Sequence, residues 1–498
     1  MAERGKRPNI LWIGVDQLRA DTLSSYGNTV CQTPNLDNLA RRGTRFTNAH
    51  SPSSLCTPAR GSMFTGRYAF CHGMGTNCDM YHSLAREMPD PSLFLHYRLR
   101  DAGYRLGYVG KWHVGTDKGP AHYGFEGMSL PGYGNIRADD GYSDYLARHG
   151  LNYHIDGTLF GNAGNKTLLA GLWNGPVEST PAHYLANYTT SLIDSLSERG
   201  EPFFITTQFW APHMPHLPSR EYYQTHDRSA IEPWRNFDDA LTGKPEYIRR
   251  QREDFYRTPP EGWEQWRELV GLYYDATAMV DAEIGRIVSH LEKTGLADNT
   301  VIIFTSDHGD MTGSHAGSLD KGFMYEEAHR VPLMFCWPGA VPEGRVSDEL
   351  VSNMDIFPTL LDLTGVDAAG TGEEDDLDGL SLTAAMSSDK DDPFRDELLL
   401  EFHGLRFLYS QRGIVTRDGW KYIFTPGDRD EVYNLNDDPG ELENLIEEPQ
   451  ALPKVEELRR RLEEAAIRAG DPLQDCIGKY FGRWENRSGQ PDATTMYS

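Results

Sequence analysis

Cysteine is scarce in this sequence, and the cysteines that do occur show no pairing pattern. Six are present among 498 residues. Their spacing matches neither a zinc-binding motif nor a framework of disulfides. We therefore expect reduced cysteines, as is usual in a reducing compartment. They are Cys31, Cys56, Cys71, Cys78, Cys336 and Cys476.

The start of the chain has no long apolar run. Residues 9–15 form an apolar segment that is too short, and too closely flanked by charge, for a signal peptide or a membrane span. We expect this segment to be a buried strand. The sequence therefore predicts a cytoplasmic protein with no membrane partner.

Basic residues are outnumbered by acidic ones. The chain has 48 lysines and arginines against 74 aspartates and glutamates, a formal net charge of −26 at pH 7. This balance argues against a nucleic-acid partner, whose phosphates require a basic surface, and against binding to anionic lipid. A small anionic substrate is still compatible, because a few local cations can dominate one pocket.

Apolar residues, in contrast, are plentiful enough for a large core. They make up 39 % of the sequence, and short apolar runs alternate with helix-length segments. This alternation predicts an α/β fold with a mostly parallel sheet and helices on both faces. Strands are predicted at 9–15, 106–110, 203–210, 300–306 and 331–336, and helices at 34–42, 92–102, 182–199, 270–293 and 353–364.

The pattern changes towards the C-terminus. We predict a catalytic domain over 1–390, a smaller α+β domain with an antiparallel sheet over 391–470, and a tail over 471–498. The tail could reach another subunit of a homo-oligomer. Residues 114–181, rich in glycine, tyrosine and asparagine, are predicted to be long loops over one end of the sheet, and the acidic stretch 367–378 a surface loop.

Polar side chains follow several predicted strands, at the edge where ligands bind in an open parallel sheet. One such position would indicate little, because polar residues often follow strands. Several together predict an active site at this edge. The side chains are Asp16, Gln17, Lys111, His113, His213, Asp307 and His308.

The stretch SLCTPARGSMFTG, residues 54–66, places a cysteine at the start of a predicted helix and an arginine one turn later. Cys56 could be a buried small residue, a thiolate nucleophile, or the precursor of another group. A phosphatase-type thiolate needs an arginine six positions on, where this chain has Ser62, whereas Arg60 comes at four. The phosphatase interpretation therefore fails on spacing.

The same stretch resembles the Cys-x-Pro-x-Arg signature of the sulfatase family. The resemblance continues, in order, through GYRLGYVGKWH (103–113), APHMP (211–215), TSDHGD (305–310), DKGFMYEEAHRVPL (320–333) and two later segments (353–365 and 421–441). It spans residues 8 to about 447. It implies an alkaline-phosphatase-like fold. It also implies that a formylglycine-generating enzyme oxidises Cys56 to formylglycine, whose hydrated aldehyde is the nucleophile.

The resemblance also implies one divalent cation. Its ligands would be Asp16, Gln17, Asp307 and His308, together with an oxygen of the modified Cys56. Many family members carry Asp where this chain has Gln17, and Asn where it has His308. An amide oxygen still suits Ca²⁺, whereas an imidazole shifts the preference towards Mn²⁺, so both ions remain candidates.

Basic side chains are implied to handle the sulfate. Arg60 would hydrogen-bond a formylglycine hydroxyl or a metal ligand, and Lys111, His213 and Lys321 would bind the sulfate oxygens. His113 would take the proton from the second hydroxyl as sulfate leaves. His213 or Lys321 would protonate the leaving oxygen.

Candidate substrate contacts occur in two further places. His72 and Asn77 follow the signature helix, and His403 and Arg406 open the second domain. The family builds substrate contacts at both places. The spacing of these residues carries no chemistry of its own, so structural roles compete with functional ones.

These observations predict a formylglycine-dependent sulfatase that hydrolyses a small sulfated carbohydrate. The preference for carbohydrate rests on the loops rich in glycine, tyrosine and asparagine and on the ten tryptophans. One alternative is a phosphodiester or phosphonate monoester hydrolase, whose relatives share the formylglycine motif and an Asp-Gln and Asp-His metal set. Another is a non-catalytic glycan-binding relative, which is disfavoured because no expected catalytic position is lost.

Overall fold

A computed structural model describes residues 7–160, 168–255, 260–366, 377–387, 393–406 and 408–485. The acidic loop predicted at 367–378 lies outside these residues except for its last two positions. The end of the predicted tail, from residue 486, lies outside them as well. Within the described residues, no helix is both long and apolar enough to span a bilayer.

The strands belong to one large sheet and three smaller ones. In chain order they are β1 (Asn9–Asp16), β2 (Thr44–Phe46), β3 (Ala49–His50), β4 (Arg105–Gly110), β5 (Glu126–Gly127), β6 (His154–Phe160), β7 (Ala170–Asn174), β8 (Phe203–Pro212), β9 (Thr300–Ser306), β10 (Leu333–Cys336), β11 (Arg345–Ser347), β12 (Val351–Ser352), β13 (Glu397–Gly404), β14 (Leu408–Thr416), β15 (Trp420–Phe424) and β16 (Glu431–Asn434).

The helices lie mainly between these strands. They are α1 (Pro34–Arg41), α2 (Cys56–Thr65), α3 (Ala69–His72), α4 (His96–Asp101), α5 (Asp140–His149), α6 (Pro181–Ser197), α7 (Glu246–Phe255), α8 (Gly262–Lys293), α9 (Ser314–Gly317), α10 (Glu326–His329), α11 (Ile356–Thr364), α12 (Thr383–Ser387), α13 (Leu452–Arg468) and α14 (Gln474–Glu485).

The large sheet is mostly parallel, as predicted. Its strand order is β11-β2-β10-β9-β1-β8-β4-β5. The four central strands β9, β1, β8 and β4 are mutually parallel, and β10 runs antiparallel to both of its neighbours. The carboxyl ends of the four central strands therefore meet at one edge.

Helices cover both faces of this sheet, which confirms the α/β architecture. Strand β1 shows why, because its alternate side chains enter two different cores. Leu11 and Ile13 pack in the core that includes α1, α6 and α8. Ile10 and Trp12 face the other side, where α2 and α11 contribute residues such as Phe64.

The predicted small antiparallel sheet is present near the C-terminus. Strands β13, β14, β15 and β16 pair in sequence order, each antiparallel to the next. Helix α13 packs on one face of this sheet. Ile414 and Tyr422 of the sheet share a core with Leu458 and Leu462 of the helix.

Residues 114–181 contain more regular structure than the predicted loops. Helix α5 and the antiparallel pair β6 and β7 lie there. The Asp139 side chain accepts the N–H of Tyr142 at the start of α5. Tyr142 and Tyr145 of α5 then pack against Tyr184 of α6. Tyr142 and Tyr145, three residues apart, are the sequence signal for this helix, and the high tyrosine content of the segment obscured it.

The tail prediction is also corrected over its first part. Residues 474–485 form α14 rather than a patternless segment, and Ile477 and Phe481 pack in the same core as α13. Leu473, Ile477 and Phe481 recur at four-residue spacing, which places them on one face of a helix. At the other end, α8 begins at Gly262, eight residues before the predicted start, because Trp266 and Leu269 add a further buried turn.

Candidate active site

Four neighbouring strands bring the predicted residues together at one edge of the large sheet. Asp16 is the last residue of β1, and Asp307 follows β9. His213 follows β8, and Lys111 follows β4. Gly110 has a φ of +99°, and a Cβ there would lie 2.0 Å from the Gln208 carbonyl oxygen, so glycine is required where the chain turns into the site.

Helix α2 presents Cys56 to this edge as its first residue. The Asn77 amide oxygen accepts the N–H of Thr57 at 3.0 Å, which satisfies one free donor at the helix start. The helix ends at Gly66, whose left-handed φ of +67° closes it. Every residue of α2 is buried, so Cys56 is held inside the protein at a helix N-terminus, where negative charge is favoured.

Four side chains form a compact set of ligand atoms. One atom from each of Asp16, Cys56, Asp307 and His308 lies within 4.8 Å of the others, and all four residues are buried. Cys56 Sγ lies 3.2 Å from His308 Nε2 and 3.8 Å from Asp16 Oδ1. Two carboxylates, an imidazole and a sulfur in such a set fit a single metal ion.

Gln17, the fifth predicted ligand, sits beside this set with its amide engaged elsewhere. Its Oε1 accepts a hydrogen bond from Lys321 Nζ at 2.9 Å. Its Nε2 donates to Asp310 and, at 3.2 Å, to Asp320 Oδ1. Its backbone N–H donates to Asp307 Oδ1 at 3.1 Å, with a left-handed φ of 66°. The backbone of Gln17 thus positions one of the four ligands.

Asp310 and Asp320 were missed by the sequence reasoning. Both approach the Gln17 amide, and burial raises the pKa of Asp310 to about 6. Asp310 is the last residue of TSDHGD, so the motif contained the signal. Asp320 precedes the predicted Lys321, and only its position beside that lysine could have indicated it.

Arg60 contacts a metal-ligand candidate, one of the two roles predicted for it. Its Nε donates to Asp307 Oδ2 at 2.9 Å, and both side chains are fully buried. Its Nη1 donates to the Lys111 carbonyl oxygen at 3.1 Å and to Gln208 Oε1 at 3.2 Å. The guanidinium therefore ties α2 to three of the central strands.

Two lysines and a histidine line the other side of the Cys56 thiol. Lys111 forms a buried ion pair with Asp16, and its Nζ lies 4.2 Å from the centroid of the Tyr133 ring. Lys321 Nζ lies 2.6 Å from His213 Nε2. These cations are positioned to bind an anion beside Cys56.

The charges around Cys56 shift several pKa values. Burial raises the pKa of the thiol, but Lys111, Lys321 and His308 outweigh burial and hold it well below its ordinary value. Burial lowers the pKa of His308, yet Asp307 and Cys56 raise it to about 9. The site therefore stabilises negative charge at Cys56.

His113 lies beside Cys56, and it has a partner, Asp79, that the sequence reasoning missed. Its Nε2 lies 3.1 Å from Asp79 Oδ1, and this hydrogen bond lowers the pKa of Asp79. The His113 side chain is also among the neighbours that lower the pKa of Cys56 against the effect of burial. No pattern in the sequence distinguishes Asp79 from other loop aspartates.

The four candidate substrate contacts occupy different environments. His72 is buried beneath α2, where its Nε2 lies 3.2 Å from the Pro58 carbonyl oxygen and burial lowers its pKa to about 4. Asn77 binds the backbone of α2, as described above, and His403 Nε2 lies 2.8 Å from Glu401 Oε2. The geometry gives His72, Asn77 and His403 structural contacts.

Arg406 is the one of these four whose charged group lies beside the predicted Lys321. Its Nη2 lies 3.4 Å from Asp320 Oδ2, next to Lys321. Its carbonyl oxygen accepts the hydroxyl of Tyr81 at 3.0 Å. The turn between β13 and β14 thereby contributes a cation at the border of the site.

Comparison with known proteins identifies the family of this chain. A model described as Sulfatase matches residues 8–366, and one described as N-sulphoglucosamine sulphohydrolase, C-terminal, matches residues 313–468. The chain belongs to the sulfatase family and is a sulfuric ester hydrolase. The non-catalytic alternative is left without support.

Several characterised sulfatases are similar over most of the chain. The N-acetylglucosamine-6-O-sulfatase of Bacteroides thetaiotaomicron is 27 % identical, covering 93 % of this chain and 87 % of the relative. The choline-sulfatase of Rhizobium meliloti is 29 % identical, covering 89 % of this chain and 83 % of the relative.

Solved structures of the same fold include more than one activity. One solved protein, in complex with its substrate D-glucosamine-2-N,6-O-disulfate, matches this chain with a TM-score of 0.74 at 23 % identity. The match covers 94 % of this chain and 99 % of that protein. A phosphonate monoester hydrolase from Silicibacter pomeroyi has a TM-score of 0.76 at 21 % identity, covering 93 % and 96 %. At these identities the likeness confirms the fold alone.

Proposed function

We propose that this sulfatase hydrolyses small sulfated carbohydrates, using formylglycine made from Cys56 and one divalent cation. The observation that carries the proposal is the buried set of Asp16, Cys56, Asp307 and His308, with their ligand atoms within 4.8 Å. Carboxylates and an imidazole held this close together are ligand types that a divalent cation takes. Formylglycine would supply a geminal diol as nucleophile, and the cation would stabilise negative charge on it.

The metal ligands we propose are Asp16, Asp307, His308 and Gln17. Two anionic oxygens and an amide oxygen suit Ca²⁺, and the His308 imidazole favours Mn²⁺. Both ions stay in the proposal. Arg60 would act indirectly, because its guanidinium orients the Asp307 carboxylate.

The protein's own cations would bind and protonate the substrate. Lys111 and Lys321 flank Cys56 and would bind sulfate oxygens. His213 lies 2.6 Å from Lys321, so these two groups can share a proton and deliver it to the leaving oxygen. His113, held by Asp79, would accept a proton from the hydroxyl of the modified Cys56.

The carbohydrate preference is supported by the names of relatives. One is an N-acetylglucosamine-6-O-sulfatase, and a solved relative is bound to a sulfated glucosamine. We propose sulfated mono- or disaccharides as the substrate class, in keeping with the cytoplasmic location predicted from the sequence. A panel of sulfated sugars, scored by sulfate release, tests the class.

One experiment tests the nucleophile and the metal together. The protein is produced with the formylglycine-generating enzyme that we propose as its maturation partner, and the intact mass of the Cys56 peptide is measured beside the metal content. We expect the aldehyde form and one bound cation, and we expect Asp307→Ala to lose the cation. Full activity in protein that carries only the Cys56 thiol, or no metal, would contradict the proposal.

A phosphonate monoester hydrolase is the second candidate. It is favoured by the Gln17 and His308 positions and by the similarity to the Silicibacter pomeroyi enzyme. Relative kcat/KM values on an aryl sulfate and an aryl phosphonate ester separate the two. The sulfatase proposal expects the sulfate ester to be the better substrate.

A further inference from the structure

A cavity with mostly apolar walls lies against the outer side of the catalytic cluster. Its volume is about 180 Å³. Trp173, Trp210 and Leu185 line it, together with Tyr133 and His213. The last two residues also belong to the sulfate-binding region, so the cavity and the active site share a wall.

Tyr133 and His213 form the wall that the cavity and the active site share. The inner face of Tyr133 lies over Lys111 Nζ, 4.2 Å from the ring centroid. His213 contacts Lys321 through Nε2, and its Nδ1 lies 3.5 Å from the Tyr133 hydroxyl. In the proposed reaction the leaving oxygen lies beside His213. The alcohol group that is bonded to the ester oxygen therefore lies next to the cavity.

The cavity walls suit a flat apolar group. The indole N–H of Trp210 donates to the Tyr133 carbonyl oxygen at 2.9 Å, and that of Trp173 donates to Ser179 Oγ at 2.9 Å. With these donors satisfied inside the protein, both indoles meet the cavity with apolar atoms only, and one face of Trp173 is already covered by the stacked ring of Tyr153. A cavity of about 150 Å³ is enough for benzene, and unpaired hydroxyls would be costly to bury against such walls.

We propose that this cavity is a substrate subsite that takes an aryl-sized apolar group on the alcohol side of the sulfate ester. The substrates would then include sulfated sugars that carry an apolar aglycone. This inference rests on the proposed function for its role in turnover, but binding to the cavity can be measured without any turnover.

The binding test uses the Cys56→Ala protein and 1-naphthol as the probe, with calorimetry as the readout. The rings of 1-naphthol would fill the cavity, and its hydroxyl would take the place of the ester oxygen beside His213. We expect one molecule to bind. Ala276→Leu, which fills the cavity from α8, should weaken binding at least about tenfold. Leu217→Trp fills the cavity from a different wall and covers the case in which the first variant misfolds. Leu452→Trp, at an exposed position of α13, is the matched control and should not change the affinity.

The catalytic test compares the methyl and phenyl glycosides of one sulfated monosaccharide. We expect the phenyl glycoside to have a kcat/KM about tenfold higher or more, and Ala276→Leu to remove that advantage. The subsite is overturned if naphthol does not bind the Cys56→Ala protein, or if it binds both filled variants as tightly as it binds that protein. This holds even if sulfated sugars are hydrolysed. Naphthol binding with no sulfate release from any sugar overturns the proposed function and leaves the subsite standing.

Discussion

The imidazole of His113 is held at one ring nitrogen, and this decides what it can do. Its Nε2 lies 3.1 Å from Asp79 Oδ1, while the backbone carbonyl oxygen of His113 accepts the Thr57 hydroxyl at 2.7 Å and anchors the residue beside α2. A base that must accept a proton at one ring nitrogen needs its other nitrogen and its ring plane fixed. Asp79 thus serves as a positioning residue for the proposed base.

We expect Asp79→Asn to lower kcat about tenfold to a hundredfold with little change in KM. The amide preserves the shape of the carboxylate but can turn its NH₂ group towards His113 and favour the other tautomer. Steady-state kinetics on the matured enzyme measure the effect. Asp117→Asn, at an exposed position nearby, is the control. An equal loss in the control, or an effect on KM alone, would count against a positioning role.

Cys56→Ala should lower turnover by at least about three orders of magnitude, or ~4 kcal/mol of barrier. The reason is that the proposed nucleophile is removed while the cations that bind sulfate remain. The fold should change little, because the thiol is surrounded by charged side chains rather than packed apolar ones. Sulfate release and the thermal unfolding midpoint are the two measurements. Comparable turnover in the variant would remove Cys56 from the mechanism.

At the scale of elements, helix α1 depends on a side chain from another helix. Thr33 precedes this helix, and threonine is a common cap at such a position, yet its side chain makes no cap hydrogen bond. Instead, Asp281 of α8 accepts the backbone N–H groups of Asn35 and Leu36, at 3.1 and 2.8 Å. Local sequence identifies where a helix starts, but tertiary contacts decide which group satisfies its free donors.

This buried carboxyl makes stability depend on pH. Burial raises the pKa of Asp281 to about 6, against 3.8 without the fold. Between these values the folded chain holds a proton that the unfolded chain has released, so this contribution to stability is present at low pH and is lost as pH rises through about 6. The full change is on the order of 3 kcal/mol.

The prediction is tested with Asp281→Asn, which cannot titrate. The difference in free energy of unfolding, wild type minus variant, should fall as pH rises from 4 towards 7, and urea midpoints across that range measure it. Asp298→Asn, at an exposed position, should show no such trend. A difference that stays constant with pH would show that Asp281 does not hold its proton in the fold.

Elements with strong local signals were predictable, and those that depend on distant contacts were not. The five predicted strands all occur, because each is a short apolar run bounded by polar residues or by proline and glycine. That Asp16, Lys111, His213 and Asp307 lie at one edge of the sheet was predictable from the strands, since each comes at the end of one of them. Asp79 and Tyr133 reach the site from segments without periodicity, so only the folded chain reveals them.

At the scale of the whole molecule, the site is closed by parts of the chain that lie far apart in sequence. Cys56, Lys111 and Asp307 are buried, and Lys321 is only 4 % exposed. Tyr133, from the segment 114–181, covers Lys111, and the turn between β13 and β14 brings Arg406 to the border. A site enclosed in this way excludes water and strengthens each contact to a small anion.

An enclosed site should prefer small substrates over polymers. We expect faster sulfate release from the depolymerised products of a sulfated polysaccharide than from the intact polymer, at equal sulfate concentration. Long chains have to pass both Tyr133 and the second domain, whereas a mono- or disaccharide can be enclosed between them. Arg406→Ala, which opens one side, should narrow the gap between the two substrates, and Arg429→Ala, an exposed arginine that pairs with Glu447, is the matched control. Equal or faster release from the intact polymer would show that the site works as an open cleft, and would favour a secreted enzyme over the cytoplasmic one predicted from the sequence.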